Sequence, residues 1–96
     1  MEYLKDYITI NCYDELINIL SLDIQSSLTK ESDNVKKILN YLKKMGVTYF
    51  DDLVKMRYDL LFSNEVDLKN SLDKLDQNFA LFIIQNDVGN LINLGI

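Results

Sequence analysis

No proline interrupts the chain and glycine occurs only three times in 96 residues, so the punctuation from which hairpins and long irregular loops are built is missing. An all-α fold is therefore the expectation: one small domain over residues 1–96, made of five to six short helices in a compact bundle or as stacked helical hairpins. The chain is 48% apolar and 26% charged, which gives it enough aliphatic side chains to offset ordering entropy and places it with globular proteins. No run of about 18 uncharged apolar residues is present. The start MEYLKDY puts Glu2, Lys5 and Asp6 where a secretory leader would need an apolar stretch. A cytoplasmic protein away from membranes is expected. The wealth of Asn, Ile and Lys fits the AT-rich genome of a low-GC bacterium or phage.

Apolar spacing locates the helices. Asn11 can cap a helix near residues 12 to 28, in which Tyr13, Leu16, Ile17, Leu20, Ile24 and Leu28 recur at three- and four-residue intervals. The residues before it could be an extended arm, but Leu4 and Ile8 on one side favour a short helix. Thr29 to Asp33 (TKESD) is the most polar stretch and reads as a loop. Val35, Ile38, Leu39, Leu42 and Met45 then mark an amphipathic helix, with Gly46 where helices commonly end. Thr48-Tyr49-Phe50-Asp51 resembles a capping box with Asp in its last position, opening a helix with Phe50, Leu53 and Val54 inward. Ser63 is the next expected cap, for a helix near residues 64 to 77. Asn78 would then open a last pair of short helices separated at Gly89.

Two internal echoes accompany this pattern. A shift of 30 residues pairs Ile38 with Leu68, Leu42 with Leu72, Met45 with Leu75, Tyr49 with Phe79, Leu53 with Ile83, Val54 with Ile84 and Leu61 with Leu91. Tyr13-Asp14-Glu15-Leu16-Ile17-Asn18 also echoes Phe50-Asp51-Asp52-Leu53-Val54-Lys55. Degenerate helix-turn-helix units would produce both, and so would an ordinary small bundle. The order of residues from Val35 to Leu91, through ILNYLKKMGVTYFDDLVKMRYDLLFSNEVDLKNSLDKL, resembles one unit of the mitochondrial transcription termination factor-like repeats. The positions carrying that resemblance are Leu42, Gly46, Val47, Leu53, Leu61, Leu68 and Leu75, while Tyr58 stands where such repeats favour proline. The resemblance implies paired helices in a curved stack and nucleic-acid binding. LKKMGVTYFDDL is also similar to the first helix-turn of the RNA polymerase alpha C-terminal domain. Here Leu68-Lys69-Asn70-Ser71 replaces that family's downstream Gly-Lys-Lys-Ser, losing the glycine that lets backbone approach phosphate.

Catalytic chemistry has little to work with. Histidine is absent and Cys12 is the sole thiol, which leaves no intramolecular disulfide, no Cys/His zinc site and no histidine base. The acidic pairs Asp14/Glu15, Asp51/Asp52 and Asp73/Asp76 could share a proton or hold a cation. Adjacent acids on a helix diverge by about 100°, however, and the first two pairs fall in first turns where the helix dipole favours negative charge. Cys12 near a helix start could be a reactive thiol, but without a partnering group a buried one is the expectation. No calcium loop, phosphate loop or nucleophile elbow occurs. The expectation is a protein without enzymatic activity, cofactor or metal.

Charge placement and the apolar C-terminus carry what functional signal there is. Residues 33–46 hold Lys36, Lys37, Lys43 and Lys44 against Asp33, a local +3 in a chain of net charge −5. Lysines seven apart stack along a helix, so this face could meet phosphates or an acidic partner, or be solvated. Tyr3, Tyr7, Tyr13, Tyr41, Tyr49 and Tyr58 could stack on bases or anchor a protein interface, though tyrosines also rim small cores with wet hydroxyls. Phe79, Leu81, Phe82, Ile83 and Ile84 are more apolar surface than one face of a single helix hides. A central core helix accounts for them, and an oligomer seam would too. The leading expectation is a module that binds another protein as an adaptor, inhibitor or regulatory subunit, with Phe79, Phe82, Ile83 and Leu91 as interface candidates and a homo-oligomer as a further possibility. The alternative is a nucleic-acid-binding helical repeat using Lys36, Lys37, Lys43, Lys44 and Arg57.

Overall fold

Four side chains, Thr9, Ser21, Asn64 and Asp76, set where four of the α-helices begin, and three of them stand in place of the residues the local pattern selects. A computed structural model describes the whole chain, Met1–Ile96. After a 3-10 helix at Glu2–Asp6, the Thr9 hydroxyl accepts the Cys12 amide (3.2 Å) and opens α1, Ile10–Ile19. Asn11 lies inside that helix. The long helix expected over residues 12 to 28 is in fact two, because Leu20 turns extended and the Ser21 hydroxyl accepts the Ile24 amide to start α2, Leu22–Lys30. Gln25 braces the break by donating to the carbonyls of Ile17 (3.2 Å) and Leu20 (3.1 Å), which the end of α1 leaves without helical partners.

The polar stretch 29–33 is not a loop. α2 runs to Lys30, Glu31 alone makes the corner, and α3 spans Ser32–Met45. Polarity marks exposure, and a helix corner of one residue can be as exposed as a loop. Gly46 then ends α3 with φ +118°, a left-handed conformation that needs a residue without Cβ. Thr48 forms no capping box: its amide and hydroxyl both donate to Gln85 Oε1 (2.6 and 2.9 Å), and α4, Asp51–Met56, has no side-chain cap. A 3-10 helix follows at Tyr58–Phe62. Asn64, one residue after the expected Ser63, caps α5 (Glu65–Asp73) through the amides of Val66 and Asp67 (2.8 and 3.3 Å). Asp76, two before the expected Asn78, caps α6 (Gln77–Asn86) through the Phe79 amide (3.0 Å). The final break comes at Asp87, and Gly89 lies within the 3-10 helix Val88–Leu94.

The result is all-α, six α-helices with three 3-10 helices and no strand. The second half is built twice over. α3, α4 and the 3-10 helix Tyr58–Phe62 are followed by α5, α6 and the 3-10 helix Val88–Leu94 in the same order. All seven pairs of the 30-residue shift share a burial class: five pairs are buried, Met45 and Leu75 are half-buried, and Tyr49 and Phe79 are exposed. α3 lies against α5, and α4 against both α6 and the last 3-10 helix. Between the units a small, wholly apolar void is lined by Leu42, Leu53 and Leu60 from one and Leu68, Leu72, Ile84 and Leu91 from the other. α1 and α2 close the remaining side, α1 on α4 and α2 on α3.

One core of 23 buried residues runs through the molecule, which measures 35 × 23 × 23 Å. No helix is long and apolar enough to cross a membrane.

Candidate functional site

α3 and α5 lie side by side with a cleft between them. Its first part, about 290 Å³, is lined by Lys37, Asn40, Tyr41 and Lys44 of α3 and by Glu65 and Lys69 of α5. Its second, about 420 Å³, begins at the shared Tyr41 and Lys44 and continues along Met45, Leu72, Asp73, Leu75 and Gln77. Early residues of both helices line one part and later residues the other, so the helices run in the same direction. One end of the cleft is therefore basic and the other largely apolar.

The sequence pattern of each helix produces this division. On α3, Lys37 and Lys44 are seven apart, two turns on one face, with Tyr41 between them at i+4. Leu42 and Ile38 turn inward and are fully enclosed. On α5, Leu68 and Leu72 face the core, which leaves Glu65 and Lys69 on the flank toward α3. Lys37, Lys44 and Lys69 form no ion pair; the protein's three ion pairs are Lys5–Glu2, Lys55–Glu15 and Arg57–Asp59. The Tyr41 phenol is pushed above its usual pKa, first by burial and then by the negative charges of Asp73 and Glu65. Its hydroxyl stays protonated at neutral pH as a hydrogen-bond donor facing the cleft.

The four α3 lysines do not form one face. Lys36 lies over the Tyr3 ring, 5.3 Å from its centroid. Lys43 borders a separate depression with Asp6, Tyr7 and Thr48. Adjacent positions are about 100° apart on a helix, so the pairs 36/43 and 37/44 diverge onto opposite rims of α3. Lys69, which the charge pattern of α3 gives no means of finding, joins Lys37 and Lys44 instead. Arg57 stands apart from all of them: its guanidinium grips Asp59 through two bonds of 3.0 Å and donates to the Ile96 carbonyl (2.7 Å), with its side chain only 12% exposed. It is a structural clamp and not part of a lysine face.

The four apolar interface candidates also separate. Ile83 and Leu91 belong to the core, 3% and 1% exposed, and cannot meet a partner. Phe79 and Phe82, one helical turn apart on α6, are 42% and 58% exposed. The apolar C-terminus thus behaves mostly as a core helix, with one aromatic edge left in water.

The remaining reactive groups are committed to the fold. The Asp51 carboxylate accepts the Thr9 amide (3.0 Å) and hydroxyl (2.7 Å), joining the start of α1 to the start of α4. Asp52 accepts from the Tyr49 hydroxyl (3.3 Å). Cys12 is buried, and burial followed by the Asp51 charge pushes its thiol up to about 11, the opposite of activation. Tyr3 donates to the Leu28 carbonyl (2.6 Å), and its burial raises its pKa to about 12. Tyr7 donates to Asn40 (2.8 Å) and meets Phe50 edge to face. No cluster of three His, Cys, Asp or Glu side chains is placed to hold a metal ion. Compared with protein-family models, curated proteins and solved structures, the chain has no match.

Proposed function

We propose that this protein works by binding another protein, without chemistry of its own, as an adaptor, inhibitor or regulatory subunit. The observation that carries the proposal is the α3–α5 cleft. It is open to solvent and lined by the apolar side chains of Met45, Leu72 and Leu75 together with Lys44, Asp73 and Gln77. A shallow apolar trough with a polar rim suits a side chain presented by a protein segment, which contributes its apolar group to the floor and its backbone and charges to the rim. The groups that an enzyme would need to free for acid-base or nucleophilic work, Asp51 and Cys12, are spent on holding α1 to α4.

The proposal is tested by co-purification from cells that make the protein, with nuclease treatment, using the wild type and Tyr41→Glu, which puts a negative charge at the middle of the cleft. The expected result is a protein that co-purifies in fixed proportion with the wild type, survives nuclease and is lost from the variant, whose helicity stays unchanged. Retention by the variant, or loss on nuclease treatment, would contradict it.

A second reading has its own support. The repeated order of two α-helices and a 3-10 helix suits the helical-repeat resemblance, and with it nucleic-acid binding. The divergence of the α3 lysines, the burial of Arg57 and the net charge of −5 weigh against it, since phosphate binding relies on a continuous basic face.

A further inference from the structure

The geometry points to the chemistry of the partner segment: the α3–α5 cleft receives an acidic peptide whose carboxylates meet Lys37, Lys44 and Lys69 and whose neighbouring apolar side chain enters the trough of Met45, Leu72 and Leu75. This inference rests on the protein-binding reading and narrows it.

Three unpaired ammonium groups converge on one concavity of a protein with net charge −5. Amphipathicity of α3 explains why Lys37 and Lys44 point outward, as any solvated helix face would. On α5 the inward turn of Leu68 and Leu72 leaves Lys69 on the flank toward α3, so lysines from both structural units line the same cleft. Glu65 is the single carboxylate among them, and it makes no ion pair with any of the three, so the basic end retains a net positive charge. Like charges gathered at one concavity of the surface repel one another, and an incoming carboxylate relieves that repulsion.

The other end has the opposite preference. Asp73 lies beside the apolar trough, where it would repel a second acid. Charge thus sets the direction in which a segment lies: acid toward Lys37 and Lys69, apolar side chain toward Leu75. The two ends are bridged by Tyr41 and Lys44, which line both. The Tyr41 hydroxyl makes no hydrogen bond within the protein and can donate to a carboxylate at the junction. From Lys37 at the basic end to Met45 in the trough is about 12 Å along the helix at 1.5 Å per residue. An extended peptide covers that distance in about four residues at 3.3 Å each, so the acidic and apolar positions lie about three to four residues apart.

A random octapeptide library displayed on its encoding RNA and selected against the purified full chain, with enriched peptides then measured by fluorescence anisotropy, tests this. The expected outcome is enrichment of Asp or Glu about three to four positions from Leu, Ile or Phe. Affinity should weaken at least about tenfold when salt rises from low to near-physiological, and again in Lys37→Glu/Lys44→Glu/Lys69→Glu, while Lys36→Glu/Lys43→Glu binds as the wild type does. All five lysines are exposed, and circular dichroism verifies that both variants fold. Enrichment of apolar residues without acids, or equal binding by the triple variant, overturns the inference while leaving protein binding in place. Failure to enrich any peptide overturns it too. Duplex DNA or single-stranded RNA that binds more tightly than every selected peptide, and is lost in the triple variant, overturns both readings.

Discussion

Thr9 shows how much of this fold depends on single polar atoms. Its hydroxyl accepts from Cys12 to cap α1 and donates to Asp51, 42 residues further on at the start of α4, a helix in contact with α1. Removing the carboxylate in Asp51→Ala leaves the Thr9 amide and hydroxyl without their acceptor, and the expected destabilisation is about 1–3 kcal/mol by urea unfolding. Thr9→Val with Asp51→Ala should cost less than the two singles combined, and strict additivity would contradict the bond. Cys12 sits in the same junction. Its folded pKa of about 11 exceeds the 9.0 of a free thiol, so the folded state is favoured while the thiol is protonated. Its contribution is complete below about pH 9 and lost as pH rises to about 11. Wild type and Cys12→Ala should therefore differ in stability by a constant amount up to pH 9, after which the wild type loses ground; parallel curves would refute the assignment. The sequence disclosed that Asp51 heads a helix and that Cys12 is enclosed. It could not disclose that the two meet, because that bond joins elements whose pairing is decided by the core.

At the scale of elements, periodicity gave the helix bodies and misjudged most of their ends. The body and end of α3 were legible because its apolar spacing and Gly46 agree, with an amphipathic body and a left-handed stop, whereas its first residues, Ser32 and Asp33, fell in the expected loop. Gly46→Ala places a Cβ at φ +118° and 3.3 Å from Leu81, which should cost about 1–3 kcal/mol in thermal or denaturant unfolding. Elsewhere several cap-competent residues stood close together and the tertiary fold selected among them. Asn64 works and Ser63 does not, so Asn64→Ala should lower stability by about 1 kcal/mol while Ser63→Ala leaves it nearly unchanged. The reverse ranking would mean that α5 starts one residue earlier. The break at Leu20–Ser21 was hidden for a related reason: the apolar spacing passes through it without slipping, and the discontinuity is sustained by Ser21 and Gln25.

For the whole molecule, the 30-residue echo was the more telling signal, since matched burial at every paired position accompanies a matched order of elements. The candidate site followed only in part. Sequence spacing brought Lys37 and Lys44 to one rim, but it also joined to them Lys36 and Lys43, which face another way, and Arg57, which is a clamp. Lys69, Tyr41 and the apolar floor become a site only once α3 and α5 lie together, an arrangement that depends on how the two units pack. Ile83 and Leu91 failed as interface residues for the same reason, their surface being used by the core.

The central claim, a partner protein seated between α3 and α5, is tested most directly by a photo-crosslinking amino acid placed at position 41 in the cleft and, as a control, at the exposed position 18 on α1, with adducts formed in living cells and identified by mass spectrometry. The account expects a discrete protein adduct from position 41 that is absent from position 18 and disappears with Lys37→Glu/Lys44→Glu/Lys69→Glu. No adduct at position 41, the same adducts from both positions, or adducts of nucleic acid from the cleft would contradict it.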